Sequence, residues 1–257
     1  MTLSPADPAP QPVSPEVAPR HIAIFGDSHM ACVRFALNVK PQRLAPHDVE
    51  FWGTVGHRFR HISLKDGAIV PDDDFTAKRF SVVNHLGRTS LRPDDFDVIA
   101  FTGCRTRIDG LFLEFLHRNR HPAQFLSSGV RRAIIAGHLR GLYAYQFAMD
   151  FARQGKARIL YQPVSFQLAG HPHPMLDQFP DAVQGTGRER GVIWALVEDV
   201  MAEDGITLLR QPDSTVIDGC FTKPEYATRH AATGDSTHKN MAYGALVLRQ
   251  IRARLDA

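Results

Sequence analysis

Short apolar runs, each cut off by glycine or proline, alternate along this chain with stretches whose apolar positions recur every three or four residues. The first run is Ile22-Ala23-Ile24-Phe25, closed by Gly26. Consecutive apolar side chains stopped by a turn fit a strand buried on both faces, as in a parallel sheet. Residues 30–38 follow with Cys32, Phe35 and Ala36 near one helical face. Residues 48–52 (DVEFW, ended by Gly53) and 97–101 (DVIAF, ended by Thr102-Gly103) predict a second and a third strand. One long helix is predicted over about 129–154, with Ile134, Ile135, His138, Leu139, Leu142, Phe147 and Phe151 on its apolar side. Gly155 stands where a C-terminal cap is expected. Residues 157–161 predict a fourth strand, broken by Pro163; 188–204 a helix with Gly205 behind it; 206–209 a fifth strand. Asn240 caps a last helix that ends near Leu255.

Five strands alternating with helices predict an α/β domain, a parallel five-stranded sheet covered on both faces. Ligands of such sheets sit beyond the carboxyl ends of the strands. That rule gathers 26–28, 53–56, 102–105 and 162–165 at one edge before any motif is considered. Two segments interrupt the alternation. Residues 59–90 read as an inserted loop or small hairpin, and 170–187 as a long loop. Residues 1–20 carry proline every few positions and no apolar period, so they are expected to form an extended or disordered tail. One folded domain is expected over 21–257.

Composition narrows the function classes. Of 257 residues, 44% are hydrophobic and 22% charged, enough apolar material for a full core. The net charge of +3 is spread along the chain, without the clustered basic face of a nucleic-acid binder, so no nucleic-acid partner is expected. A mild positive field can still draw in an anionic substrate. Cys32, Cys104 and Cys220 are odd in number and form no CxxC pair, against a disulfide framework or a structural zinc site. Reduced thiols suit the cytoplasm. No signal-peptide pattern and no run of the ~18 apolar residues needed to span a bilayer is visible, so no membrane association is expected.

The chemistry concentrates at two places. Ser28, in Gly26-Asp27-Ser28-His29, lies just after a buried strand and just before a helix. Its hydroxyl should project above the sheet edge, where backbone amides and the helix dipole favour an anion. Serine needs a neighbouring base to act as a nucleophile, and Ser28 alone would equally serve as a helix N-cap. Near the other end, Asp235 precedes His238 by three residues, in Asp235-Ser236-Thr237-His238. A carboxylate at that spacing can hold one imidazole nitrogen and leave the other free, the orienting role of the acid in a Ser-His-Asp triad. Alone, this pair reads as a helix cap.

Together, Gly26-Asp27-Ser28 and Asp235-x-x-His238 resemble the first and last blocks of the GDSL or SGNH hydrolase superfamily. The likeness extends through Lys239, Asn240 and Gly244 and follows family order and spacing over 21–250. It implies a three-layer flavodoxin-like fold and a Ser28-His238-Asp235 triad that hydrolyses or transfers an ester-linked acyl group, such as acetyl. The family completes its oxyanion hole with a Gly after the second strand and an Asn after the third. Gly56 best matches the former, with Gly53 as alternative. Gly103-Cys104-Arg105-Thr106 stands where the Asn is expected. One oxyanion donor can contribute about 3 kcal/mol, so the departure matters. Arg105 could donate instead, bind an anionic substrate group, or simply lie in solvent; Gly103 is grouped with it as an oxyanion or substrate-binding position.

The remaining polar residues read more plainly. His171 and His173 flank Pro172 without a third ligand, and His138 reads as a packed core histidine. Cys104 lacks a visible thiolate-stabilising context, Asp27 is expected to fix the Ser28 turn, and Asp72-Asp73-Asp74 reads as a solvated run. The expectation is a serine esterase acting on a small-molecule or carbohydrate ester, with no metal and no organic cofactor. Two rivals stand beside it: an O-acyltransferase acting on a glycan, and a catalytically silent binding protein of the same fold.

Overall fold

The computed structural model describes residues 18–54 and 56–256. Residues 1–17 of the expected proline-rich tail lie outside that range. Strands β1 (His21–Gly26) and β2 (Asp48–Gly53) are followed by a hairpin of β3 (Ile62–Lys65) and β4 (Ala68–Pro71). Then come β5 (Val98–Gly103), β6 (Arg158–Pro163) and β7 (Ile206–Leu208). The main sheet has the order β2-β1-β5-β6-β7, with every neighbouring pair parallel. All five strands predicted from the apolar runs are its members. This is the flavodoxin-like order, counting the sheet strands alone.

Alternate side chains of each strand feed two cores. Ile22, Ile24, Val98, Ala100 and Leu160 pack under α1 (Ala31–Val39) and α7 (Met241–Leu255). Ala23, Phe25, Ile99, Phe101, Ile159 and Tyr161 point to the other face. That face is covered by α2 (Asp74–Asn84), α3 (Asp109–Arg118), α4 (Ser128–Arg140), α5 (Tyr143–Gln154) and α6 (Gly187–Glu203). The result is a three-layer α/β domain. A Cβ at Gly244 would stand 2.0 Å from the Cys32 carbonyl, so glycine is what lets α7 lie against α1. Asn240 caps α7 as predicted, its side chain accepting from the amides of Ala242 and Tyr243.

Three departures from the sequence expectation have physical causes. The long helix over 129–154 is two helices. The chain leaves helical geometry at Leu142, which is extended, and Gly141 before it carries no side chain to hold the turn. The insertion at 59–90 is more than a hairpin: Asp73 caps α2 by accepting from the Thr76 amide, so the acidic run is partly a helix start. Finally, α3 buries Leu111, Phe112, Leu113, Phe115 and Leu116. A helix covered on several sides loses the one-sided period by which helices are recognised. All three cysteines are buried and unpaired, and no helix among the described residues is long and apolar enough to cross a membrane.

Candidate active site

The sheet order turns between β1 and β5: from β1 the chain steps outward to β2, then returns to β1's other side. A crevice opens above such a point. The loops after Gly26 and Gly103 enter it, and the segment before α7 closes it from the side. A cavity of about 730 Å³ lies there, bordered by Ser28, Gly56, Arg105 and His238. Residues more than two hundred positions apart thus meet at one sheet edge.

Ser28 Oγ lies 2.7 Å from His238 Nε2. On the far side of the ring, His238 Nδ1 lies 3.0 Å from both carboxylate oxygens of Asp235. Asp235 also accepts from the backbone amides of Thr237 and His238, each at 3.1 Å. Partial burial pulls the Asp235 pKa upward, but these amides and the imidazole outweigh it, and the pKa falls to about 2. The carboxylate is therefore ionised at neutral pH. It fixes a proton on Nδ1 and leaves Nε2 as an acceptor facing the serine hydroxyl.

A second Asp–His pair lies directly beneath. Asp27 is 4% exposed and caps the Ser28–Met30 turn by accepting from the His29 amide at 3.0 Å. The same Oδ1 takes His29 Nδ1 at 2.8 Å, while Oδ2 takes the Arg105 amide at 2.9 Å. Burial opposes the charge of Asp27, yet the His29 ring and the two amides hold its pKa below the ordinary value. The His29 ring stacks on that of His238, centroids 4.8 Å apart and planes 24° apart. Its Nε2 is buried without a hydrogen-bond partner among the described residues. The expected role of Asp27, fixing the serine turn, is what these bonds do, and they also tie β1's end to β5's. His29 was missed; an Asp-x-His spacing at a strand end is the signal that could have found it.

Gly56 borders the cavity with φ +58, and a Cβ there would meet nothing within 4 Å, so its backbone is open to a ligand. Gly53 does something else: a Cβ there would stand 1.9 Å from the Gly26 carbonyl, so its place is strand packing. Gly103 is not among the residues bordering the cavity. Its φ is +73, and a Cβ would press on His29 at 2.7 Å and Asp27 at 2.8 Å, so glycine here makes room for that pair. Arg105 does reach the cavity. Its amide is taken by Asp27, which leaves the guanidinium; Nη1 lies 3.5 Å from the Gly56 carbonyl oxygen.

Two further arginines, Arg60 and Arg107, border the same cavity. No carboxylate of the described residues forms an ion pair with any of the three. Phe59, from the turn after β2, and Leu142 and Ala144, delivered by the break between α4 and α5, supply an apolar wall. The sequence signal for Arg107 was Arg105-x-Arg107 just past a strand's carboxyl end.

Other sequence candidates fall away from this chemistry. Cys104 is 2% exposed, and burial with the nearby Asp27 charge pushes its thiol well above the ordinary range. His138 is half-buried and bonds the Arg107 carbonyl at 2.7 Å through Nε2. His173 pairs with Asp109 at 3.3 Å, holding the 164–186 loop against α3. Lys239, 6% exposed, donates to the Thr237 carbonyl at 2.6 Å beneath the His238 loop, and burial lowers its pKa to about 7.

No protein-family model matches the chain, and no curated protein matches it. Solved structures are similar in fold. One, from Parabacteroides merdae and described as a GDSL-like lipase, is 12% identical over 93% of this chain and 99% of that one, with TM-score 0.36. A DUF4886 family protein from Bacteroides uniformis is 10% identical over 91% and 82%, with TM-score 0.42. The periplasmic domain of a lipopolysaccharide acetyltransferase from Salmonella ser. Paratyphi A is 10% identical over 94% and 85%, with TM-score 0.38. At these identities the likenesses say nothing of reaction or substrate.

Proposed function

We propose that this protein is a serine-dependent ester hydrolase whose substrate carries an anionic group. The observation that carries the reading is the relay Ser28 Oγ–His238 Nε2, 2.7 Å, with His238 Nδ1 on Asp235. His238 takes the Ser28 proton as Oγ attacks the ester carbonyl. The tetrahedral oxyanion forms between the amides of Ser28 and Gly56, with the Arg105 guanidinium as the charged donor in place of a side-chain amide. His238 then gives its proton to the departing alkoxide, and the alcohol leaves. Water, deprotonated by the same Nε2, releases the acyl group as a carboxylic acid and restores Ser28. Asp235 keeps the imidazole oriented and stabilises its charged form.

The anionic preference rests on Arg60, Arg105 and Arg107, three guanidinium groups around one cavity, none within ion-pair distance of a carboxylate of the described residues, though the charge of Arg107 is felt by Asp109. All three are exposed at the cavity mouth, and guanidinium groups free to fork onto a ligand bind carboxylate or phosphate. The acyl group then lies on the wall of Phe59, Leu142 and Ala144.

Turnover of a neutral aryl acetate and of acyl esters bearing a carboxylate or phosphate tests this directly. Ser28→Ala should abolish both reactions, by a factor on the order of 10⁴ or more. Arg107→Ala and Arg60→Ala should raise KM for the anionic esters alone, and added salt should do the same. Full turnover in Ser28→Ala would sink the hydrolase reading; equal effects on neutral and anionic esters would remove the anionic preference. Product analysis with an added sugar tells whether the acyl group passes to water or to a hydroxyl acceptor.

A further inference from the structure

Away from the crevice, at the other end of α3, two histidines and an aspartate converge. His117 lies in the last turn of α3, and His121 follows three residues past its end, where turn bonds from the Arg120 amide to the His117 carbonyl and from the His121 amide to the Arg118 carbonyl fold the chain back beside it. Their ring centroids are 4.2 Å apart. Asp181 comes from the long loop, in the short helical turn Pro180–Gln184 that packs on α3. Its Oδ2 lies 2.7 Å from His121 Nε2 and 3.4 Å from His117 Nδ1. Its other oxygen is held by Gln184 Nε2 at 3.2 Å. One ligating atom from each of the three residues lies within 4.8 Å of the others.

A hydrogen-bonded trio explains only part of this. Asp181 and His121 satisfy each other at 2.7 Å. His117 is 8% exposed, and its Nδ1 is buried with no hydrogen-bond partner among the described residues, though aimed at the same oxygen. An unpaired buried polar atom costs about 1–3 kcal/mol. A cation at the centre would occupy it. Four-coordinate zinc with ligands at about 2.0–2.1 Å sets its donor atoms roughly 3.3 Å apart. The His117–Asp181 separation of 3.4 Å already has that spacing, and the His121–Asp181 pair, at 2.7 Å, needs to open by roughly 0.6 Å.

We propose that His117, His121 and Asp181 form a site for a divalent transition metal of the zinc class. Two imidazoles and one carboxylate suit zinc, cobalt or nickel, and have too few oxygens for calcium or magnesium. Gln184 orients the carboxylate from behind, as outer-sphere partners do. With a water as fourth ligand, the metal would tie the 164–186 loop to the far end of α3, while the His173–Asp109 pair ties that loop near the start of the same helix. None of the three residues borders the Ser28 cavity, and the proposal holds whether or not the chain is a hydrolase.

The test is calorimetric titration of the chelator-stripped full chain with zinc chloride, alongside its melting temperature with and without the metal. One equivalent should bind and the melting temperature should rise, since metal held only by the folded state stabilises it. His121→Asn, at a half-exposed position where the fold should survive, should weaken binding by at least about tenfold. Asp181→Asn should do the same and remove the thermal shift, while His171→Asn should leave both intact. Cobalt should give the visible absorption of a four-coordinate ion in the parent chain and not in His121→Asn. No stoichiometric binding, or binding unchanged in both His121→Asn and Asp181→Asn, would overturn the proposal.

Discussion

Two aspartate–histidine pairs stand ring against ring at the head of the sheet, and their surroundings are opposite. In Asp235–His238 the imidazole is partly exposed and its second nitrogen meets Ser28 at 2.7 Å. In Asp27–His29 the carboxylate is 4% exposed and the second nitrogen meets no partner. Both carboxylates have lowered pKa values, and both collect backbone amides as well as an imidazole. The chemistry of the pair is therefore the same, and position alone divides the labour. One pair faces the cavity and a hydroxyl. The other lies under it, spending its acceptors on the two loops that frame the crevice. An Asp–His contact becomes a candidate for catalysis only through what the far nitrogen touches.

This contrast can be broken by exchanging carboxylates for amides. Asp235→Asn keeps the shape but presents an amide to Nδ1, which favours the wrong tautomer. Ester turnover should fall on the order of 10⁴-fold with the fold intact; a fall of less than tenfold would mean the pair is only a cap. Asp27→Asn should act mainly on stability. It removes a buried charge that accepts from His29 and from the Arg105 amide, and should cost about 1–3 kcal/mol, read from the denaturation midpoint. The acid limb sharpens this. The folded pKa of Asp27 lies below its ordinary 3.8, so its stabilising contribution is complete above that value and is lost as pH falls through the lower, folded one. The parent chain should lose stability more steeply below pH ~4 than Asp27→Asn does. Parallel acid profiles would show that Asp27 does not hold the loops together.

The central strands β1 and β5 were legible because they are buried on both faces and end in glycine, while β2, β6 and β7 still showed short apolar runs although their ends or edges are exposed. Ser28, Asp235 and His238 were legible because the chemistry of each sits in a short local motif at a strand or helix end. What escaped was set by tertiary contact. Helix α3 is covered on several sides, so its apolar residues have no face to mark. The split at Leu142 is a change of direction within one continuous apolar pattern. The place of Gly103 after β5 suggests a substrate contact; that its φ and missing Cβ leave room for the Asp27–His29 pair is visible only in three dimensions. His117 and Asp181 are 64 residues apart by number, and nothing local in either segment announces the other.

The central claim is that Ser28 is a nucleophile activated by His238. Intact-mass measurement after exposure to a fluorophosphonate tests it without knowledge of the natural ester. The account predicts a single adduct, mapped to Ser28, absent in Ser28→Ala and formed far more slowly in His238→Ala. A parent chain that stays unmodified while folded, or an adduct that persists in Ser28→Ala, would contradict it.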